Sequence, residues 1–269
     1  MKDRTLSTIV LLIIGGLCLA SYPFCGFIVT SLIIIGLYEF YHMIERKGVS
    51  MFMTFGTIVG AFIPLTIFFK FAITQEVQFL LVVGGLFTLF LLELMRKRNY
   101  QTVLSLSATV FGIIYISWCL SFLIRIRQTE YGVWMLAFLI LVTKTNDMGA
   151  YIIGSRFGRT QLLPRVSPKK TLEGTIGGFL CSVLCALVFS FMLKQIPFWD
   201  TILLGAILGI LGQLGDLFES LIKRDCEVKD SGKIVPGIGG VLDFLDSIIF
   251  TAPTFYLYIT MIRRMHEGL

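Results

Sequence analysis

Carboxylates and lysines recur at helical spacing in the last third of this 269-residue chain, in surroundings that are otherwise hydrocarbon. In GQLGDLFESLIKRDCEVKDSGK, residues 212–233, Asp216, Glu219, Ser220 and Lys223 stand at separations of three and four, which puts them on one helix stripe. Asp243 and Asp246 open the next apolar run three residues apart, so both face one point. Up to four acidic groups thus meet where two helices come together. Clustered buried carboxylates must be protonated, paired with lysine or neutralised by a cation. An all-oxygen set without His or Cys suits magnesium rather than zinc. With Lys169, Lys170, Lys223 and Lys229 nearby, such a site has the parts that phosphoryl or nucleotidyl transfer needs.

Two further constellations precede it. In LVTKTNDMGAYIIGSRFGR, residues 141–159, Lys144 and Asp147 share a helix face and neutralise one another, beside Asn146 and several small residues. In SPKKTLEGTIGG, residues 167–178, Ser167 and Pro168 read as an N-cap and first-turn pair. That would set Lys169 and Lys170 at a helix N-terminus, a good phosphate site. Glu173 reads as a counter-ion for a lysine or as a solvated loop carboxylate. Gly232, Gly237, Gly239 and Gly240 would let the backbone approach a phosphate.

These side chains need a scaffold, and the remaining sequence specifies a membrane one. The chain is 56% hydrophobic and 15% charged, with mean hydropathy +0.85, whereas soluble domains carry roughly a quarter of their residues as charges. The expected fold is an all-α polytopic membrane protein of about nine spans, at about 6–22, 24–41, 52–70, 76–95, 102–124, 131–153, 174–194, 200–222 and 243–262. Only a turn at Pro23 divides the first two; without it the count is eight and one terminus changes side. The first span follows a basic start but lacks a small-x-small cleavage site, so it reads as a retained helix. Loops after even-numbered spans hold fourteen basic residues and the other side eight, which puts the even loops in the cytoplasm. The active site is then expected at the cytoplasmic ends of the C-terminal helices. Residues 1–130 read as packing, dimer and lipid-facing helices, with Glu39 and Glu93 as isolated charges, and 131–269 as the catalytic region. Five of six cysteines lie in apolar runs, Cys226 has no CxxC partner, and only His42 and His266 are available. A disulfide framework, a zinc site and histidine-based chemistry are therefore not suggested.

From Ser220 to Ser247 the sequence SLIKRDCEVKDSGKIVPGIGGVLDFLDS resembles the signature of the phosphatidate cytidylyltransferases (CDP-diacylglycerol synthases). That pattern runs Ser, one or two apolar residues, Lys-Arg, four residues, Lys-Asp, Pro-Gly-x-Gly-Gly and Asp-x-x-Asp. DMGAYIIGSRFGR and SPKKTLEGTIGG resemble the family's other segments, in the same order. The resemblance implies conversion of CTP and phosphatidic acid to CDP-diacylglycerol and pyrophosphate. It also implies a Mg²⁺ requirement, with a second cation left open, and a homodimer in the bacterial cytoplasmic (inner) membrane. No nucleic-acid partner is expected. Carried onto this chain, it gives Asp216, Asp243 and Asp246 the metal, with Lys223 beside them in the chemistry. Lys169, Lys170, Lys223, Arg224 and Lys229 would bind triphosphate or lipid phosphate, and Asp147, Ser167, Glu173, Ser220 and Asp230 would complete the site. Ile238 stands where many members have histidine, and Phe244 where they usually have arginine.

Two other readings compete. A CTP-dependent polyprenol or phytol kinase would share the chemistry, but its alcohol acceptor needs a base, and no histidine is evident. An ion-coupled transporter would suit intramembrane Asp147, Asp216 and Asp243. No inverted repeat is visible, however, and the polar residues gather at one face.

Overall fold

A computed structural model describes residues 15–72, 74–96, 101–193, 195–235 and 239–267, with side chains described to residue 261. Residues 15–20 are helical, and the helices that follow are α1 (Tyr22–Arg46), α2 (Met53–Phe68), α3 (Gln75–Leu94) and α4 (Thr102–Arg127). Next come α5 (Gly132–Phe157), a β-hairpin of β1 (Gln161–Leu163) and β2 (Ser167–Thr171), α6 (Leu172–Ser190), α7 (Phe198–Asp225) and α8 (Val241–Glu267). Among the described residues seven helices are long and apolar enough to cross a bilayer. The protein is a multi-pass, all-α membrane protein. At 16 residues α2 is the short one, against the roughly 20 that a hydrocarbon core requires. Most of the first expected span lies outside the described residues. The break after it falls at Ser21, whose backbone is extended, and Pro23 sits in the first turn of α1 where its missing N–H costs nothing.

The C-terminal helices pack closely because small residues line their contacts. α5 lies against α6, and α6 against α7, where Gly205 meets Ala186 and Gly209 meets Ser182. At Gly215 of α7 a Cβ would collide with the backbone carbonyl of Asp246, so glycine there sets how near α7 and α8 can come. By contrast α3 buries only Leu89 and Glu93 among its side chains, and an apolar groove of about 1410 Å³ opens along it beside α2 and α4. In α4, residues Ile113–Trp118 form a π-helical turn. Such turns insert one extra residue and re-aim the side chains around them.

The loops expected on one side do meet at one end of the bundle. Lys47, after α1, pairs with Asp225 at the end of α7 at 2.5 Å. Arg224 of α7 donates from Nε to the carbonyl of Val166 in the hairpin at 3.2 Å. Arg96, after α3, donates to the carbonyl of Ser50, after α1, at 2.9 Å. Lys97 and Arg98 lie outside the described residues.

Ser167 does not cap a helix; it begins β2, where it pairs with Leu163, and Thr171 pairs with Gln161. The helix starts four residues later, and its cap is Thr171, whose Oγ1 accepts the N–H of Gly174 at 3.1 Å. The physical reason is the hairpin: Ser167–Thr171 finds backbone partners in β1, while a proline at 168 is tolerated on the edge of a two-stranded ribbon.

Candidate active site

Successive residues of a strand point to opposite faces. Lys169 is accordingly exposed, while Lys170 is half-buried and reaches Asp216 of α7 at 2.8 Å. This ion pair ties the hairpin to the acidic stripe. Glu173, in the first turn of α6, accepts the N–H groups of Arg159 and Thr160, each at 3.1 Å, and holds the hairpin's entry rather than a lysine. Ser167 is half-buried and Lys229 and Asp230 are exposed around the same end. The Ser220 hydroxyl points at Asp216 across 3.4 Å, one turn along α7.

Deeper in, Lys223 donates to Asp243 at 2.6 Å and to Glu219 at 3.1 Å. The side chains are 10%, 8% and 0% exposed respectively, so the group is nearly closed to water. The second oxygen of Asp243 accepts from the Ser231 N–H at 2.8 Å, the Ser231 hydroxyl at 2.9 Å and the Gly240 N–H at 2.7 Å. Asp243 therefore ties Ser231 and Gly240 to α8 and holds Lys223. Asp246, 7% exposed, faces Asp216, Glu219 and Asp147, with Lys144 as a nearby cation. One carboxylate oxygen of Glu219 is fully buried and has no donor.

Beside this, Lys144 of α5 donates to Asp147 at 3.1 Å, to the Ser247 hydroxyl at 3.1 Å and to the carbonyl of Phe244 at 2.7 Å. The Ser247 hydroxyl in turn donates to Asp147 at 2.9 Å. The ammonium also lies 4.4 Å from the centre of the Phe244 ring, a cation–π distance. So the residue that departs from the family pattern shares a cation with Asp147. Ile238, the other departure, and Gly237 lie outside the described residues. Gln213 links α7 to Asn146 at 2.9 Å and to the carbonyl of Thr175 at 2.8 Å.

The loop glycines answer to the protein's own carboxylates. A Cβ at Gly232 or Gly240 would overlap Glu39 of α1, and at Gly239, with φ +131°, it would meet Asp243. Cys226 is buried at the end of α7, where burial pushes its thiol above the usual range. At the exposed rim Asp225 raises the Lys47 ammonium further above its usual value, which leaves its charge unchanged at neutral pH.

By sequence Glu39 is an isolated charge, and Ser231, Ser247 and Tyr115 do not stand out. Glu39 carried a signal: a carboxylate inside an apolar run marks a functional position by default. Tyr115 carried none: it lies in an apolar run, and only the fold buries it near Glu219 and Asp246. An apolar cavity of about 400 Å³ lies along α7, lined by Leu163, Val166, Leu214, Phe218, Leu221 and Phe250.

Together these elements set cationic side chains, acidic side chains and an apolar cavity side by side at one end of a helical bundle. That arrangement can hold an anionic, lipid-borne group against a second anion.

Comparison with known proteins gives the arrangement a lineage. The chain is 40% identical over 151 residues to the Escherichia coli K12 protein named uncharacterized protein YnbB, covering 56% of this chain and 50% of that one. It is 37% identical over 166 residues to the phosphatidate cytidylyltransferase of Bacillus subtilis 168, covering 61% and 62%. These two matches span about half and three-fifths of the relatives' length. The phosphatidate cytidylyltransferase of Thermotoga maritima matches at 31% identity over 270 residues, 98% of this chain and 97% of that one. The model of the cytidylyltransferase family matches residues 2–262, nearly from end to end. On that match the chain belongs to the cytidylyltransferase family.

Proposed function

We propose that this protein is a phosphatidate cytidylyltransferase, transferring CMP from CTP to phosphatidic acid in phospholipid biosynthesis. The observation that carries the reading is the junction of the Lys170–Asp216 pair with buried Asp246 and the Lys223 cluster, next to an apolar cavity. An oxygen of the lipid phosphate attacks the α-phosphorus of CTP, the α–β phosphoanhydride bond breaks, and pyrophosphate leaves. The attacking group is already an anion, so no strong base is required, in keeping with the shortage of histidine.

The residues fit a magnesium ion in part. Among the described residues no group of three acidic, His or Cys side chains stands ready as a metal cage. Magnesium, however, is commonly held by one or two carboxylates together with substrate phosphates. Asp246 and Asp216 are the residues that would hold it, and the undonated oxygen of Glu219 beside them favours a cation. Asp243, with both oxygens engaged, supports the site by holding Lys223 and the loop. When bound, the metal neutralises phosphate oxygens and aligns the two anions. A second cation stays within the proposal at the same acidic group.

The chain's own groups divide the remaining work. Lys170, paired with Asp216, would bind a phosphate if Asp216 held a cation instead. Lys169, Lys229 and Arg224 line the exposed rim, suited to the triphosphate or to the lipid phosphate. Ser167, Ser220, Glu173, Asp230 and Asp147 shape the rim or orient these side chains. The apolar cavity at Leu214 and Phe218 would seat part of an acyl chain.

The basic end would face the cytoplasm of a bacterial inner membrane, where CTP is made. Residues 131–269 would form the catalytic region and 1–130 its lipid-facing and dimer-forming support. The groove along α3 is a surface on which a second copy would pack to give a homodimer. The deciding assay supplies purified protein with α-labelled CTP, phosphatidic acid and Mg²⁺. Label in CDP-diacylglycerol with release of pyrophosphate supports the reading; γ-label entering a lipid alcohol replaces it with a kinase.

A further inference from the structure

The first turn of α8 carries Asp243 and the second Asp246, yet the residue before the helix, Gly240, has no side chain to cap it. The first N–H groups of an α-helix have no acceptor within the helix. A Ser, Thr, Asp or Asn at the cap usually takes one of them. Here Asp243 reaches back to the Gly240 N–H at 2.7 Å, which is one half of a capping box. The other half comes from a different helix. Glu39 of α1 accepts the N–H of Val241 on Oε1 at 3.1 Å and the N–H of Leu242 on Oε2 at 2.9 Å. Its Oε2 also accepts the Ser231 hydroxyl at 3.3 Å.

The two backbone contacts are buried: Glu39 is 3% exposed, Val241 5% and Leu242 0%, so the carboxylate takes the place that water would fill at an open helix end. The loop has been fitted to it as well, since a Cβ at Gly232 or Gly240 would overlap the Glu39 side chain. A helix N-terminus attracts anions. At α8 that anion is the protein's own, so this end is not left open for a substrate phosphate.

We propose that Glu39 is a positioning residue of the active site. It fixes the height and rotation of the first turn of α8, and so sets where Asp243 and Asp246 stand. The catalytic part of this proposal rests on the cytidylyltransferase reading; the cap does not. It also makes α1, in the N-terminal half, a working part of the site.

The test compares Glu39→Ala and Glu39→Gln with the wild-type full-length protein. The alanine variant leaves two buried N–H groups without an acceptor, whereas glutamine keeps one oxygen for one of them. Two quantities are read: steady-state kinetics with CTP and phosphatidic acid, and backbone hydrogen exchange without substrates. The expected result for Glu39→Ala is a kcat at least tenfold lower, with KM for CTP changed less than threefold. Exchange at residues 241–246 rises at least tenfold, while α5 and α6 are unchanged. Glu39→Gln recovers at least threefold of the lost kcat. Full kcat in Glu39→Ala, faster exchange spread evenly along the chain, or a glutamine variant no better than alanine each overturns the proposal. Inactivity of the wild-type protein would overturn the functional reading, and exchange alone would then decide the cap.

Discussion

Replacing Lys223 by methionine tests the buried cluster most directly, because methionine keeps an unbranched apolar stem, one atom shorter, and removes the ammonium with its charge and its donors. Lys223 is the shared partner of Glu219 and Asp243, in a group whose side chains are at most 10% exposed. Breaking a buried pair by removing one partner costs about 3–5 kcal/mol, because the other charge stays behind. The two carboxylates would not suffer equally. Asp243 retains three donors on its second oxygen. Glu219 would retain only its contact with the Asp246 carboxyl, and its Oε1 already lacks a donor. The loss therefore falls mainly on Glu219, and we place it near the lower end, about 3 kcal/mol. At about 2–4 °C per kcal/mol for chains of this size, the melting temperature should fall by roughly 6–12 °C. Thermal unfolding of the detergent-purified protein, followed by circular dichroism, measures it. Adding Glu219→Gln to Lys223→Met should then recover about 1–2 kcal/mol, because the stranded group is no longer a charge. A single variant within about 1 kcal/mol of wild type, or a double variant less stable than the single, would refute the reasoning.

Three further outcomes are expected. Asp246→Asn and Asp216→Asn should each lower CMP transfer by about a hundredfold or more at saturating substrate while leaving the protein folded, as judged by gel filtration and circular dichroism; normal rates of CDP-diacylglycerol formation would sink their assignment. Chelation with EDTA should abolish turnover and added Mg²⁺ restore it, with Asp246→Asn shifting the Mg²⁺ concentration for half-maximal rate upward. Glu173→Ala removes the acceptor for two backbone N–H groups at the hairpin entry, and should speed backbone hydrogen exchange at Arg159 and Thr160. Its kcat should fall less than that of Asp246→Asn, which side-by-side kinetics would check.

Hydropathy by itself specified a multi-pass helical protein, and the helices follow the expected runs within a few residues at most boundaries. The reason is physical: in a bilayer core each backbone group must be paired within its own segment, so apolar runs of that length become helices. Lysine and aspartate three apart on one stripe also foretold that Lys144 meets Asp147. The glycines of α7 foretold close helix contacts, because a missing side chain is visible without knowing the partner.

Partner choice was not legible. The sequence offered Asp243 as a metal ligand, and only the folded structure shows its oxygens engaged by Lys223, Ser231 and Gly240. It offered Ser167 as a helix cap, and only the pairing of β1 with β2 moved the cap to Thr171. It offered the loop glycines as room for a phosphate, and only the fold shows that Glu39, some two hundred residues earlier, fills part of that room. Local spacing determined which residues share a face and which segments enter the membrane. Which carboxylate is occupied and which is left facing another depended on contacts between distant segments, and those exist only once the helices have packed.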